Sequence, residues 1–350
     1  MSIAATYLQD LRVMYPSQLD RDELRITQTG LVTTGLEMTA SPSSIISGDL
    51  REKALNSEGR TLSVPVMTKN DVTIKNVRSC VISADESDSA FVNIVWQTLV
   101  ADIQMTPQQY KKNEIRYMED LNKKIREMVE KFLTTMEQVI DTTLDANKTQ
   151  VYGSTIVGDE FALAGGAIQV PVADQEHFFN YIDPINYADD FYNTEVYVVG
   201  SHALMAPVNK FINQGAGNDE NQAYQFAGKS FRFSNRVVNG ATKKSTFYFM
   251  PNGTLGLLTR VDGDARDNAI ATDGTQWFED TLPGLPFTVG IRYKSKCSDE
   301  SGLNADSQLG HLTATLKEEW QVSFDFAVIT PYNSDAVNNA GAIRKVEFVA

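Results

Sequence analysis

The sequence predicts an α+β fold drawn out around one long helix, and three observations carry that expectation. A helix of about 40 residues is expected from Pro107 towards Asn147, since neither Gly nor further Pro interrupts the chain until Gly153. Period-two apolar stretches stand on both sides of it, at 61–105 and from 195 onward. The first 45 residues are polar and broken by Pro16, Gly30, Gly35 and Pro42, so they read as an arm that cannot fold alone.

Within that arm only Ile3, Tyr7, Leu8 and Leu11 suggest a short amphipathic helix, and the rest is expected to be extended. Leu62–Val66 and Val72–Arg78 alternate apolar and polar residues about a Lys69-Asn70-Asp71 turn, which predicts a hairpin. Pro65 points to an edge position there. After the polar run Ser83–Ser89, residues Phe91–Ile103 read as one long strand feeding the helix. A two-stranded hairpin with so little apolar surface is not stable alone and calls for a neighbour.

The helix start is written in Thr106 as N-cap, Pro107 as first helical residue and Gln109 at the capping-box position. At 1.5 Å per residue the helix would extend roughly 60 Å, too long to bury in one compact core. Met118, Leu121, Ile125, Met128, Phe132, Met136, Val139, Ile140 and Leu144 recur every three or four residues and form one stripe. Opposite charges at i,i+4, such as Glu119 with Lys123 and Glu127 with Lys131, suit an exposed opposite face. The Met-rich stripe fits an irregular surface of the same chain better than a coiled-coil zipper.

The second half reads as mixed α+β. Short helices are expected near 177–182 and 202–212. Strands are expected at 195–199, 230–234, 245–251, 254–260, 287–294, 311–329 and 344–350.

At 350 residues the chain can bury a sizeable core and would ordinarily form two domains. A net charge of −14 disfavours a surface that wraps nucleic acid, though not one that encloses it. Cys80 and Cys297 make no disulfide framework and are expected to be small core residues of a reduced protein. The N-terminus has no secretory pattern, and no segment approaches the roughly 20 apolar residues of a membrane span, so a soluble chain is expected.

The search for chemistry yields no catalytic, cofactor-binding or metal-binding residues. His177, His202 and His311 pair with nothing at ligand spacing. Gly200-Ser201 reads as a helix start capped by Ser201 rather than an anion site. Asp262–Asp267 fails as a calcium loop, because Arg266 stands where a ligand is needed and Asp267 where Gly is needed. Asp183, Asp189 and Asp190 could supply paired carboxylates, but suit turns around Pro184. Asn252-Gly253-Thr254 reads as a hairpin turn.

The order of parts is similar to that of the major capsid proteins of tailed bacteriophages, with the HK-ninety-seven-type fold. Thr106-Pro107 with Asn113–Tyr117 resembles the start of that family's spine helix, and Leu144–Thr149 its end. Asn218–Asn221, Phe233-Ser234-Asn235 and Thr330-Pro331-Tyr332-Asn333 also have the look of these sequences. The resemblance implies an N-terminal arm (1–45), an extended E-loop hairpin (46–90), and a peripheral domain (91–190) with a spine helix at about 107–147. A mixed α/β axial domain (191–330) and a return strand to the peripheral domain (331–350) would follow. It also implies many copies of the chain in pentamers and hexamers, enclosing DNA without sequence-specific binding, and no membrane partner. A separate scaffolding protein, a portal and a decoration protein are the further partners it suggests, with assembly in the host bacterial cytoplasm and residence in the virion. Some members crosslink an E-loop lysine, and Lys69 and Lys75 fall in that region, but no acceptor is identifiable, so that chemistry is not carried over. The alternatives are an encapsulin-type compartment of the same fold, a coiled-coil adaptor using Met118–Leu144, and an enzyme using Asp183, Asp189 and Asp190.

Overall fold

The computed structural model describes residues 28–57, 59–67, 89–107, 117–148, 161–188, 191, 195–215, 225–226, 228–240, 242–298, 315–331 and 341–350. Two compact units emerge: 96–135 with 259–327, and 28–95 with 136–258 and 328–350. The long helix α3 (Tyr117–Ala146) gives residues to each. Pro107 begins a 3-10 turn, and 108–116, which would carry the rest of the expected helix start, lie outside the described residues.

In the first unit β3 (Gln97–Met105) pairs antiparallel with β13 (Thr315–Ile329), β13 with β12 (Thr288–Ser298), and β12 with β11 (Gln276–Thr281). The short strand β10 (Gly256–Arg260) makes the sheet five-stranded. Alternate residues of β13, namely Trp320, Val322, Phe324 and Phe326, are buried, as are Val289, Ile291 and Tyr293 of β12. This is the period-two pattern of a sheet with one covered face. Phe132 of α3 meets Phe324 edge-on at 5.2 Å, so the stripe of the helix lies on the chain's own sheet. Leu121, Ile125, Met128, Phe132, Met136, Ile140 and Leu144 are all buried, while Met118 and Val139 are half-buried. A dimer seam would need that stripe exposed.

The second unit holds a seven-stranded sheet. Its order is β4 (Ala162–Ala164), β5 (Ala167–Pro171), β14 (Arg344–Val349), β9 (Lys243–Pro251), β6 (Val196–Ser201), β8 (Lys229–Ser234) and β7 (Gln225–Phe226). The central strands β6 and β9 are buried on both faces, which is why they read as near-continuous apolar runs. Phe178, Phe179, Phe211, Phe231, Phe247 and Phe348 form the aromatic centre of this core, with ring separations of 5.2 Å for Phe179–Phe211 and 5.3 Å for Phe247–Phe348. Short helices α4 (Gln175–Phe178), α5 (Ile182–Ala188) and α6 (Met205–Gly215) contribute to it.

Several expectations are corrected. Residues 28–45 are not an extended arm: α1 (Gly30–Ala40) is a helix with Leu31, Val32 and Met38 buried, and α2 (Gly48–Asn56) follows with Ser47 accepting from Leu50 N at its start. Local composition hid α1 because its burial comes from partners far along the chain. Strand β1 (Thr61–Met67) pairs with β2 (Ser89–Val95), whereas 72–78 lie outside the described residues. The single strand expected over 91–103 is two, β2 and β3, in different sheets, divided at the buried Trp96, whose ring lies 4.3 Å from the Arg260 guanidinium. The C-terminal strand β14 lies between β5 and β9, and its parallel partner β5 falls within 91–190. Residues 259–298, expected with the axial half, cluster with 96–135. Asn252-Gly253-Thr254 is a turn but not a hairpin, since β9 and β10 enter different sheets. Asn252 N donates to Glu195 O at 3.0 Å and Ile45 N to Gly253 O at 3.0 Å, which fixes the turn by other segments. Cys297 is exposed, near the end of β12 where 295–297 are all open, and Cys80 lies outside the described residues. Ser201 stands at the helix start without capping it, its hydroxyl instead 3.4 Å from that of Ser245.

Candidate assembly surface

The ribbon β1–β2 has no third strand among the described residues. Its register places Leu62 opposite Ile94 and Val64 opposite Val92 on one face, and Thr61 opposite Val95, Ser63 opposite Asn93 and Pro65 opposite Phe91 on the other. Ile94 is buried, but Phe91 is 71% and Val95 58% exposed. Ser63 Oγ donates to Asn93 Oδ1 at 2.7 Å across the ribbon. Isolated two-stranded ribbons are marginal in water, so this one calls for cover. In the other unit, β3 and α3 border an open groove of about 450 Å³, lined by Val100, Asp102, Lys124, Glu127, Met128 and Lys131. Mixed charge and an exposed Val100 give it the character of a contact surface rather than of a small-molecule pocket.

The second half of α3 is held by acids one turn apart. Glu137 is fully buried and accepts from Val32 N at 2.7 Å and Leu31 N at 3.3 Å. Burial pushes its pKa up to about 7, over opposing hydrogen bonds from Ser234, Val32 and Leu31. Asp141 is likewise raised by burial, although Tyr248 and the Val238 amide bond to it. Burial and the neighbouring Asp141 push the Tyr248 hydroxyl well above its usual value. Asp145 goes the other way: burial is outweighed by Lys345, at 2.7 Å, and Lys148, at 3.0 Å, which hold it low. Lys345 and Lys243 reach Glu347 at 3.4 and 3.3 Å, and Gln169 donates to it at 2.7 Å. Reading α3 as an apolar stripe with exposed charges missed Glu137, although its place in the run Leu133, Glu137, Ile140, Leu144 was a signal.

The described residues among those weighed for chemistry each have a structural place of their own. Asp183 pairs with Lys229 at 2.6 Å, and Asp189 and Asp190 lie outside the described residues. Asp262 accepts from Asp264 N at 2.8 Å to start the short helix α7 (Gly263–Arg266). His177 lies in α4 and His202 opens the turn before α6, while His311 lies outside the described residues. Among the described residues no group of three His, Cys, Asp or Glu is placed to hold a metal, and no helix is long and apolar enough to cross a membrane.

The long helix on its own sheet, the two-stranded ribbon and the second α+β sheet make this the HK-ninety-seven-type capsid fold. Among solved structures, the chain is similar to the Cyanophage Pam1 capsid asymmetric unit, with TM-score 0.53 and 12% identity over 96% of this chain and 97% of that one. It is similar to a structure of Mycobacterium phage Che8 with TM-score 0.52 and 10% identity, over 94% and 93% of the two chains. No family model matches the chain, and no curated protein does either.

Proposed function

We propose that this chain is the major capsid subunit of a tailed bacteriophage, a structural protein rather than an enzyme, many copies of which close into an icosahedral shell around DNA. The observation that carries the reading is the shared fold over 96% of the chain with the Pam1 capsid. The β1–β2 ribbon supports it, with Phe91 and Val95 exposed and no third strand among the described residues, because a strand pair that is marginal alone gains order by lying on an adjacent copy. On this reading the ribbon is the base of the E-loop (46–90), α3 belongs to the spine (about 107–147) of a peripheral domain, and β6 with α6 begins the axial domain (from 191). Heterologous contacts closing into rings of five and six generate the shell, with a scaffolding protein, a portal and a decoration protein as further partners. An acidic subunit of net charge −14 suits a container that must not adhere to its contents.

Negative-stain microscopy of the full chain, expressed with any scaffold from the same genome, tests this. Closed shells tens of nanometres wide are expected, and packaged nucleic acid rather than protein cargo separates a capsid from an encapsulin-type compartment. A sedimenting species near twice 38.8 kDa as the only product would sink the proposal. Phe91→Asp on the ribbon should leave the subunit folded and abolish shells, and normal shells from that variant would remove the ribbon from the assembly surface.

A further inference from the structure

Helix α1 is capped from a distance. Thr29 stands at its N-cap with no side-chain cap bond, and its first turn has no acidic residue. The donors of that turn go instead to the spine-helix carboxyl, Val32 N to Glu137 Oε1 and Leu31 N to Oε2. Strand β8 closes the other side: a Cβ on Gly30 would stand 2.3 Å from Phe233 O. The start of α1 is thus pressed between a strand backbone and one buried carboxyl.

Few charged groups face that carboxyl. From its own helix comes Asp141, a like charge one turn on. From β8 comes the Ser234 hydroxyl, a donor that also accepts from Arg236 N. Arg232 of β8 is bound to Glu37 of α1, at 3.1 and 3.3 Å. Further along, Tyr248 of β9 and Lys345 of β14 answer to Asp141. Among the described residues no cation pairs with Glu137. The helix dipole and three donors favour its charged form, and the dry surroundings oppose it.

We propose that Glu137 makes the seating of α1 proton-dependent, so that residues 30–40 are held most firmly at mildly acidic pH and loosen as the pH rises to neutrality. A neutral acid keeps one oxygen to accept from Val32 N and leaves no charge in the buried site. Burial raises the seated group to about 7 against an ordinary 4.5, so the seated form binds more protons between those values. Stability is therefore fully present below about 4.5 and is lost as the pH climbs to about 7.

Hydrogen exchange of the full chain, corrected for the intrinsic pH dependence of exchange, tests this on the amides of 30–40. Opening of this segment should rise on the order of tenfold between pH 6 and pH 8. Glu137→Gln should flatten the profile. Ser234→Ala keeps the carboxyl but removes a donor to its charged form, and should move the midpoint to higher pH. This second variant decides the matter if the first fails to fold. A flat wild-type profile, an unchanged slope in E137Q, or an unmoved midpoint in S234A would each overturn the proposal. Shell formation is not needed for the readout, so its failure is distinct from failure of the capsid reading.

Discussion

Removing the carboxylate of Asp183 should destabilise the second unit far more than removing its partner's charge. Lys229 Nζ lies 2.6 Å from Asp183 Oδ2, with the lysine side chain 3% exposed and the aspartate 44%. Lysine is the buried member, held at the start of β8, and Asp183 sits in the first turn of α5, half open to water. Asp183→Ala leaves an ammonium in the interior without its counter-charge. Breaking a buried pair in this way costs about 3–5 kcal/mol, and the exposure of Asp183 puts the expected loss at the lower end, about 3 kcal/mol. Lys229→Met keeps the apolar stem and discards the charge, while Asp183 turns to solvent, so its cost should stay within about 1 kcal/mol. The double variant should resemble K229M alone. Equilibrium urea unfolding followed by far-ultraviolet circular dichroism reads the difference, with a midpoint fall of roughly 1 M for D183A. Equal losses from D183A and K229M would show that stem packing, not charge, holds this site, and the reasoning would fail.

Two further outcomes follow from single positions. Gly253 has φ +85°, and a Cβ there would stand 2.0 Å from Ser43 O, so Gly253→Ala combines left-handed strain with a backbone clash. A loss of about 3 kcal/mol, or a fall of roughly 5–10 °C in thermal midpoint, is expected, and an unchanged melt would contradict the geometry. Against their burial, Asp145 is held below its usual carboxyl value by Lys345 with Lys148, and Glu347 by Gln169 with Lys345 and Lys243. Their contribution is present above about pH 4 and lost on acidification through their depressed values, opposite in sign to Glu137. Lys345→Met should move the onset of acid unfolding to higher pH, and a superimposable acid titration would refute the assignment.

How much could be read in advance varies by element. The stripe Leu121–Leu144 and the strands 196–201, 243–251, 288–298, 315–329 and 344–349 were legible because periodicity records burial on one or both faces. Helix α1 was not, because its Gly- and Thr-rich sequence is a weak helix former and its order comes from Glu137 and β8. The Asn252–Thr254 turn was recognised by type but misread in purpose, since turn chemistry fixes local φ and ψ and not which sheet the next strand joins. The break at Trp96 was hidden because both flanking segments alternate alike.

By itself the sequence determined the long helix, its apolar stripe and the order of strands along the chain. These rest on local chemistry: capping, turn residues and the period of burial. Only the tertiary structure decided that the terminal strand enters the sheet between β5 and β9, and that the buried carboxyl of Glu137 in α3 caps α1. Those outcomes depend on residues roughly one to two hundred positions apart meeting in a dry interior, where one unpaired charge outweighs the small local preferences that a sequence displays.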